Sequence, residues 1–378
     1  MKVLYIIDTL SGYGAEKSIL QIAQNLNCAT PVFIQLFEGN GIGNLHDKKS
    51  IKIYSLKLEN DASNGLEKII NIVRLENPQI IHSTLFRADQ FARKLKRLFP
   101  SIIFVGSFVS NSYNANRFKQ LSFISKLKLR STQFRDRISA VNVDYFISNS
   151  EAIKKSNVKA LGIPSNKVTV IYRGRSFEEK KTSDRLISKT RRELNIAIDK
   201  TVFLNVARLS IGKGQLDLVK AFKKFSDNNS NVILLLIGEG VLLKELQNCI
   251  ERLELKDKVF LLGYRNDVHL LLQLANYFVF PSYFEGLSGA LIEAIMSKTP
   301  CIISDIPENM ECFPKNAMLS FQPGNIQQMA MRMDKALNMD NWTSITTNAY
   351  NFAKKNFDIK IVSTQYDNFY NKIAANIS

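Results

Sequence analysis

The chain has 378 residues, of which 45% are hydrophobic and 22% are charged, so it can bury a large core and is neither disordered nor fibrous. Lysine and arginine total 51 against 34 acidic residues, and the net charge of +17 indicates an anionic partner: nucleic acid, a phosphorylated substrate or a membrane surface. Four widely spaced cysteines without a Cys-x-x-Cys pair argue against a zinc ribbon, an iron–sulfur centre or a disulfide framework and indicate reduced cytosolic thiols.

The first part of the chain alternates short apolar runs with helical patterns. Residues 3–7 form an apolar run rich in β-branched side chains, and a turn with Gly12 and Gly14 follows before a helical pattern over residues 15–26. Similar apolar runs recur at residues 32–37, 51–56, 80–83, 102–106, 145–148 and 168–172. This alternation is typical of a parallel sheet with helices on both faces.

A second series of the same kind follows a polar, charged stretch. Its apolar runs lie at residues 202–206, 232–237, 259–262, 277–280 and 301–304. The sequence therefore predicts two doubly wound domains, over residues 1–175 and 200–355, with a linker over 176–199. A C-terminal helix over residues 356–378 is expected to pack back on the N-terminal domain. Because ligands bind at the carboxyl ends of parallel strands, we expect the chemistry in the loops that follow them.

The clearest motif lies over residues 280–294, where a strand ends, a glycine-rich loop follows and a helix begins near Ser288. Free backbone amides beside a positive helix end form an anion site. These amides belong to Gly286, Leu287, Ser288 and Gly289. Glu285 lies in the loop and Glu293 about one turn inside the helix, so both carboxylates can accept hydrogen bonds from hydroxyls of one sugar or ribose ligand. Taken alone, they also fit an acid near a helix start and a solvated helical residue.

Two cations follow the first strand of the second series. Arg208 and Lys213 flank a tight loop, where a diphosphate would gain a guanidinium fork and an ammonium group. As a lone pair they also fit ordinary solvated surface charges. Gly238, after the next strand, permits another close approach of the backbone.

In combination, residues 200–305 resemble the donor-binding domain of the retaining GT-B glycosyltransferases of family four, the glycosyl transferases group 1. The resemblance is carried by Arg208, Lys213, Gly238, Gly240, Pro281, Ser282, Glu285, Glu293, Ala294 and Pro300. It extends weakly over the N-terminal domain through Gly14-Ala15-Glu16. It implies the GT-B fold, with two Rossmann-like domains facing across a cleft. It also implies sugar transfer from a UDP- or GDP-sugar to a lipid-linked, lipopolysaccharide or capsular glycan acceptor.

The resemblance also implies roles for individual residues. Arg208 and Lys213 would hold the donor diphosphate, Glu285 the sugar hydroxyls and Glu293 the ribose. Gly12 and Gly14 would close over the same diphosphate from the other domain, and the loop amides would serve the sugar and phosphates. Fixed cations and a helix N-terminus would stabilise the departing nucleoside diphosphate, so we expect neither a metal nor another cofactor. The chain has no Asp-x-Asp triplet to bind a metal.

The N-terminal domain departs from the family pattern. The family often has a histidine after the fourth or fifth strand, yet residues 105–111 contain none. His82, at the end of the preceding strand, is therefore the candidate catalytic histidine. A histidine at a strand end also fits a structural role.

The positive charge is concentrated in the N-terminal half. Residues 1–181 carry 28 basic and 14 acidic side chains, a net charge of +14, and the remainder carries +3. Residues 116–139 hold seven basic residues and one acid between apolar side chains, a pattern typical of helices that bind anionic membranes. An ordinary helix with a core-facing apolar stripe fits the same pattern.

No apolar stretch approaches the roughly 20 residues of a spanning helix, and residues 3–7 are too short for a signal peptide. We therefore expect a cytoplasmic protein that is peripheral at the inner face of the cytoplasmic membrane. No recognised nucleic-acid-binding module appears, so no nucleic-acid partner is expected.

Other classes of function stay open at this point. One is a non-enzymatic, basic membrane- or nucleic-acid-binding protein on a degenerate GT-B scaffold. Another is a nucleotide-sugar epimerase, which shares the two-domain fold but lacks the paired-glutamate loop. Gly12-x-Gly14 imitates a dinucleotide fingerprint, but Lys17 occupies the third glycine position, which argues against NAD.

Overall fold

The computed structural model describes residues 1–10, 14–39, 51–59, 64–177 and 182–375. The chain forms two compact units. The N-terminal unit comprises Met1–Asn114, Leu121–Ser176 and Asn356–Ser378, and the C-terminal unit comprises Ala115–Gln120 and Phe177–Lys355. Each unit contains one parallel sheet with helices, so the predicted α/β class with two Rossmann-like domains is confirmed.

The strands and helices of the described residues are numbered separately in chain order. The strands are β1 (Lys2–Ile7), β2 (Thr30–Gln35), β3 (Lys52–Ser55), β4 (Ile80–Thr84), β5 (Ile103–Phe108), β6 (Tyr145–Ser148), β7 (Val168–Val170), β8 (Thr201–Val206), β9 (Val232–Ile237), β10 (Val259–Leu261), β11 (Tyr277–Phe280), β12 (Cys301–Ser304) and β13 (Leu319–Phe321). The helices are α1 (Gly14–Gln24), α2 (Gly65–Glu76), α3 (Phe86–Leu95), α4 (Ala115–Gln120), α5 (Phe123–Ser139), α6 (Glu151–Leu161), α7 (Asp184–Glu193), α8 (Gln215–Ser226), α9 (Leu243–Arg252), α10 (Val268–Leu274), α11 (Gly289–Met296), α12 (Pro307–Met310), α13 (Ile326–Leu337), α14 (Trp342–Phe357) and α15 (Ile359–Ala374). Short 3-10 turns occur at Ala140–Asn142, Ser165–Lys167 and Ile211–Lys213.

The sheet of the N-terminal unit has the strand order β3-β2-β1-β4-β5-β6-β7, with every neighbouring pair parallel. Its side chains alternate between two apolar clusters because successive residues of a strand point to opposite faces. Tyr5 and Phe33 pack in one cluster, together with α1 and α15. Leu4 and Ile81 pack in the other, together with α2 and α3. Both faces of the sheet are therefore covered by helices.

The sheet of the C-terminal unit has the order β10-β9-β8-β11-β12-β13, again with parallel pairs throughout. All six residues of β9 are buried, as expected for a strand covered on both faces. The chain moves outward from β8 to β10 and then returns to place β11 on the other side of β8. The strand order therefore reverses between β8 and β11, where Phe203 lies opposite Tyr277.

The C-terminal helix α15 packs on the N-terminal unit. The hydroxyl groups of Tyr370 and Tyr5 lie 2.9 Å apart in a buried hydrogen bond. The carboxylate of Asp367 accepts the backbone amides of Asn27 and Cys28 at 2.8 and 3.1 Å. Through these contacts α15 packs against β1 and the loop after α1.

The unit boundaries differ in detail from the predicted domain boundaries. The stretch predicted as a linker, residues 176–199, contains the helix α7 and falls mainly within the C-terminal unit. Ser183 begins this helix by accepting the backbone amide of Leu186. The short helix α4 also belongs to the C-terminal unit, although the sequence on both sides of it lies in the N-terminal unit.

Candidate active site

The two most informative sequence motifs follow neighbouring strands of the C-terminal sheet. Arg208 and Lys213 follow β8, and Glu285 follows β11. Since parallel strands end at the same edge of a sheet, the reversal of strand order between β8 and β11 leaves a crevice between their loops. The topology therefore brings the predicted cationic loop and the predicted acidic loop to one place.

Lys213 and Glu285 form an ion pair at this edge. The Lys213 ammonium donates to Oε1 of Glu285 at 2.5 Å, and the Ser282 hydroxyl donates to the same oxygen at 2.6 Å. The Glu285 side chain is 6% exposed and that of Lys213 is 26% exposed. The sequence predicts that both residues bind a ligand, and the structure adds that they pair with each other across the two loops.

The pairing uses only one oxygen of the Glu285 carboxylate. Both hydrogen bonds recorded for this side chain within the described residues go to Oε1. Oε2 accepts none of these bonds, so it is the oxygen that can accept a ligand hydroxyl. An ionised carboxylate is an acceptor only, which suits it to bind a hydroxyl donor.

The two loops are held together by backbone contacts that require Gly214. This residue has a φ of +71°, and a Cβ atom at its position would lie 2.3 Å from the carbonyl oxygen of Pro281. The backbone amide of Tyr283 also donates to the carbonyl of Gly212 at 2.9 Å. The close approach of the loops is therefore built into the backbone and places Lys213 within reach of Glu285.

The glycine-rich loop leads into α11 as predicted. The Ser288 hydroxyl accepts the backbone amide of Leu291 at 3.4 Å and caps the helix. Gly286 lies in the loop between Glu285 and the cap, and Gly289 is the first helical residue. Leu287 is fully buried and anchors the loop in the core, so its side chain is unavailable to a ligand. The first turn of α11 presents the positive end of a helix at the same edge as Lys213.

Glu293 lies in the middle of α11 and is half-buried. Glu293 and Glu285 are therefore presented by successive parts of one loop–helix segment, as the spacing predicted. Their neighbour Tyr283 donates its hydroxyl to Asp217 at the start of α8. Burial, followed by this hydrogen bond, raises the pKa of Tyr283. Asp217 did not stand out in the sequence because an acid in the first turn of a helix is common.

Arg208 is exposed in the loop after β8, and its carbonyl accepts the side-chain amide of Gln215 at 3.0 Å. Gly238 has a φ of +133°, and a Cβ atom there would lie 2.0 Å from the carbonyl oxygen of Ala207. Gly238 thus lets the loop after β9 approach the Arg208 loop closely. This position requires glycine, because a Cβ atom would collide with that carbonyl oxygen.

The N-terminal unit contains the other predicted site residues, Gly12, Gly14 and His82. Gly12 lies outside the described residues, and Gly14 is the first residue of α1, with a guanidinium nitrogen of Arg173 3.3 Å from where a Cβ atom would stand. His82 is fully buried in β4. Its Nδ1 lies 2.6 Å from the Tyr370 hydroxyl and its Nε2 lies 2.7 Å from the Ser107 hydroxyl. Burial lowers the pKa of His82 to about 3, so the ring is neutral.

The basic segment predicted over residues 116–139 spans α4 and α5, and α5 exposes most of its apolar side chains. Phe123 is 75% exposed, Phe134 65% and Ile138 57%. Leu127 lies one turn after Phe123 and is also exposed, as is Val141 in the 3-10 turn that follows α5. The alternative of an ordinary helix with a core-facing apolar stripe is therefore wrong for these residues.

Two further features, a membrane span and a metal site, are absent from the described part of the chain. None of its helices is long and apolar enough to cross a bilayer. Its histidine, cysteine, aspartate and glutamate side chains form no group of three that could hold a metal ion.

The C-terminal half of the chain matches a known protein family. Residues 186–355 match the family model described as glycosyl transferases group 1. A relative from Escherichia coli, UDP-Gal:alpha-D-GlcNAc-diphosphoundecaprenol alpha-1,3-galactosyltransferase, is 31% identical over 171 residues, 44% of this chain and 44% of the relative. A second, from Campylobacter jejuni, is N-acetylgalactosamine-N,N'-diacetylbacillosaminyl-diphospho-undecaprenol 4-alpha-N-acetylgalactosaminyltransferase. It is 30% identical over 162 residues, 43% of this chain and 41% of the relative. The alignments thus span less than half of either relative.

The whole fold also matches solved structures. The crystal structure of Anabaena Alr3699/HepE in complex with UDP and glucose has a TM-score of 0.85, covering 98% of this chain and 99% of that chain at 21% identity. This likeness shows the fold, which is the GT-B fold predicted from the sequence. The match of residues 186–355 to the family model agrees with the resemblance to the glycosyl transferases group 1 predicted from the sequence.

Proposed function

We propose that this protein is a retaining glycosyltransferase that moves a sugar from a nucleotide-sugar donor to a lipid-linked or cell-surface glycan acceptor. The observation that carries the proposal is the ion pair of Lys213 and Glu285 at the reversal of strand order, with Oε2 of Glu285 left to accept a ligand hydroxyl. The family match of residues 186–355 supports it. The names of the two bacterial relatives, in which a diphosphoundecaprenol-linked sugar receives the transferred sugar, support the class of acceptor.

Each residue of the site then has a chemical role in donor binding. Glu285 accepts a hydroxyl of the donor sugar through Oε2, while Lys213 and Arg208 neutralise the diphosphate. The first turn of α11 adds the positive end of a helix dipole. Glu293 accepts the ribose hydroxyls. Such fixed groups catalyse because they stabilise the charge that develops on the diphosphate in the transition state.

The proposed reaction exchanges one bond at the anomeric carbon of the sugar. The bond from this carbon to the diphosphate oxygen breaks, and the nucleoside diphosphate leaves with the electron pair. The acceptor hydroxyl forms the new bond on the same face and gives its proton to the leaving phosphate oxygen. His82 takes no part in this proposed step, because both of its ring nitrogens are hydrogen-bonded in the core of the N-terminal unit.

We also propose that the transfer is independent of metal ions and that UDP or GDP is the donor nucleotide. Lys213, Arg208 and the N-terminus of α11 supply positive charge where a metal would otherwise neutralise a diphosphate. The UDP in the Anabaena structure supports a uridine donor by analogy of fold alone.

The acceptor class requires the protein to work at a membrane surface, and α5 supports this location. Its exposed stripe of Phe123, Leu127 and Phe134 is flanked by Lys126, Lys128, Arg130, Arg135 and Arg137. Exposed apolar side chains between cations suit the boundary between the headgroups and acyl chains of anionic lipids. We therefore propose peripheral binding to the cytoplasmic face of the membrane through α5.

A transfer assay tests the proposal. Radiolabelled UDP- and GDP-sugars are incubated with the protein and a bacterial membrane extract, and label in the lipid fraction is measured. Wild type and Lys220→Ala, which alters an exposed lysine of α8, are expected to transfer label, and Lys213→Ala is not. Binding of a nucleotide sugar without turnover would favour a non-enzymatic binding protein. Conversion of the free nucleotide sugar to its epimer would favour an epimerase.

A further inference from the structure

A chain of buried hydrogen bonds connects α12 to the Glu285 carboxylate. The side-chain amide of Asn309 donates to the Ser304 hydroxyl at 3.0 Å, and the Ser304 hydroxyl donates to the carbonyl of Ser282 at 2.6 Å. The Ser282 hydroxyl then donates to Oε1 of Glu285 at 2.6 Å. Ser282, Ser304 and Asn309 are all fully buried.

The direction of every bond in this chain is fixed. Carbonyl oxygens only accept, so the Ser304 hydroxyl donates to Ser282, with a longer contact of 3.5 Å to the carbonyl of Phe280, and it accepts the Asn309 amide. Asn309 Nδ2 also donates to the Ser304 carbonyl at 3.2 Å. The strand end at Ser304 therefore holds the backbone of the Glu285 loop at Ser282, and the Ser282 side chain holds the carboxylate.

Burial of the Asn309 side chain carries an unfavourable free-energy term. Its Oδ1 is buried and accepts no hydrogen bond from any residue that the structure describes. A buried polar atom without a partner is unfavourable and uncommon in native proteins. The two hydrogen bonds donated by Nδ2 therefore explain why an asparagine occupies this position.

We propose that Ser304 and Asn309 are positioning residues that fix the orientation of Glu285 for the donor sugar. The inference rests on the proposed function, because it assigns Oε2 of Glu285 to a sugar hydroxyl. Anchoring Oε1 from two sides, by Lys213 and by Ser282, turns Oε2 to a fixed direction. A network that holds a ligand-binding group in one geometry lowers the reorganisation needed on binding.

The variant that tests this proposal is Ser304→Ala, which removes the link to Ser282 without adding bulk or charge. Its matched control is Thr299→Val. The Thr299 hydroxyl is also buried and donates to a carbonyl, that of Leu272, at 2.8 Å, but it has no connection to Glu285. Both variants lose a buried hydroxyl-to-carbonyl hydrogen bond, and Ser304→Ala also loses the bond from Asn309, so its thermal stability should fall by at least as much as that of Thr299→Val.

The readout is the difference between binding of a nucleotide sugar and binding of its nucleoside diphosphate. UDP-glucose is compared with UDP, and GDP-mannose with GDP, by calorimetry. Ser304→Ala should weaken binding of the nucleotide sugar about three- to tenfold, the effect of one hydrogen bond, and leave the nucleoside diphosphate within about twofold. Thr299→Val should leave this ratio unchanged. Ser282→Ala, a second variant of the same chain, should reproduce the effect of Ser304→Ala.

A double-mutant cycle with Glu285→Gln shows whether the effect passes through Glu285. If Ser304 acts by positioning the carboxylate, Ser304→Ala should add little in the Glu285→Gln background. Additive effects, or equal weakening of nucleotide sugar and nucleoside diphosphate, would overturn the positioning role while the proposed function stands. A wild-type protein that binds neither pair of ligands would overturn the proposed function and this inference together.

Discussion

Lys213 and Glu285 are 72 residues apart in the sequence, yet their side chains meet at 2.5 Å because they follow neighbouring strands of one parallel sheet. The pair has two consequences. The ammonium charge is held at the carboxyl edge of the sheet, and Oε2 of Glu285 stays outside the pair. An exposed ion pair would contribute little, but Glu285 is nearly buried, so each partner depends on the other.

The first prediction concerns the charges of this pair. Glu285→Gln keeps the shape of the side chain but removes its charge, and Lys213→Ala removes the ammonium from the diphosphate. We expect each change to lower kcat/KM by about 10²- to 10⁴-fold, as when a charged partner of the transition state is lost. Steady-state kinetics checks this, with Lys220→Ala as the control. Full activity in Lys213→Ala would contradict the diphosphate role.

The second prediction concerns Gly214, where the two loops touch. Gly214→Ala would place a methyl group 2.3 Å from the Pro281 carbonyl oxygen, so the loops must separate. Gly263→Ala is the control, because Gly263 also has a positive φ, +64°, but no atom lies within 4 Å of its Cβ position. Gly263→Ala should lose about 1–2 kcal/mol of stability from the left-handed backbone alone. Gly214→Ala should lose more and also bind the nucleotide sugar weakly. Equal stabilities and equal binding in both variants would refute the contact.

The third prediction concerns the pH dependence of stability and the role of His82. The pKa of His82 is lowered to about 3 in the folded protein, below that of a histidine in the unfolded chain. The unfolded state therefore takes up a proton first as the pH falls. The stability that His82 contributes is fully present above about pH 6.5 and falls by about 1.4 kcal/mol per pH unit below it, until about pH 3.

Urea unfolding of wild type and His82→Asn at pH 7 and pH 5 measures this dependence. The difference in unfolding free energy between the two proteins should shrink at pH 5, because asparagine does not titrate. The folded His82→Asn variant should keep its kcat within about tenfold of wild type. A loss of about 10²-fold or more at full folding, typical of a missing general acid or base, would instead establish His82 as catalytic.

The fourth prediction concerns the membrane. Each lysine or arginine near anionic headgroups contributes about 1 kcal/mol, so α5 should give salt-sensitive binding to anionic vesicles. Lys126→Glu combined with Lys128→Glu and Arg130→Glu should abolish flotation with such vesicles. Phe123→Ser combined with Phe134→Ser should weaken it as well.

A matched set of charge changes in the C-terminal unit provides the control. Lys220→Glu, Lys224→Glu and Lys244→Glu change the net charge equally at exposed positions outside α5. This variant should float like wild type, and both α5 variants should still bind the nucleotide sugar. Equal flotation of the α5 charge variant and wild type would remove α5 as the docking surface.

The fifth prediction is independence from divalent metal. With Lys213, Arg208 and the start of α11 around the diphosphate, EDTA should leave the transfer rate unchanged within about twofold, because fixed cations neutralise the leaving group. Loss of activity with EDTA and its return with Mn²⁺ would contradict this account of the diphosphate site.

Much of the fold was predictable because its strands are short, apolar and regularly spaced. The three-residue strand β13 has no clear signal, because Ser320 interrupts its apolar side chains, whereas β7 and β10, which are equally short, lie in the apolar runs 168–172 and 259–262. The loops with Lys213 and Glu285 were predictable because glycines and a helix start mark them. Their pairing was not, because it depends on β11 returning beside β8. Ser304 and Asn309 gave no signal, since their hydrogen bonds exist only once β12 lies next to β11.

The sequence alone also could not predict that the apolar side chains of α5 are exposed. A helix with basic and apolar residues in alternation fits both a core-facing and a lipid-facing stripe, and only the packing of the neighbouring helices distinguishes them. Phe123 and Phe134 turned out to be on the surface.

The most direct test of the central claim is the anomeric configuration of the transferred sugar, followed by proton NMR during turnover of the preferred nucleotide sugar. Wild type should form a new glycosidic bond with the configuration of the donor, and Glu285→Gln should not. A product of inverted configuration, or donor consumption that is equal in wild type and Glu285→Gln, would contradict it.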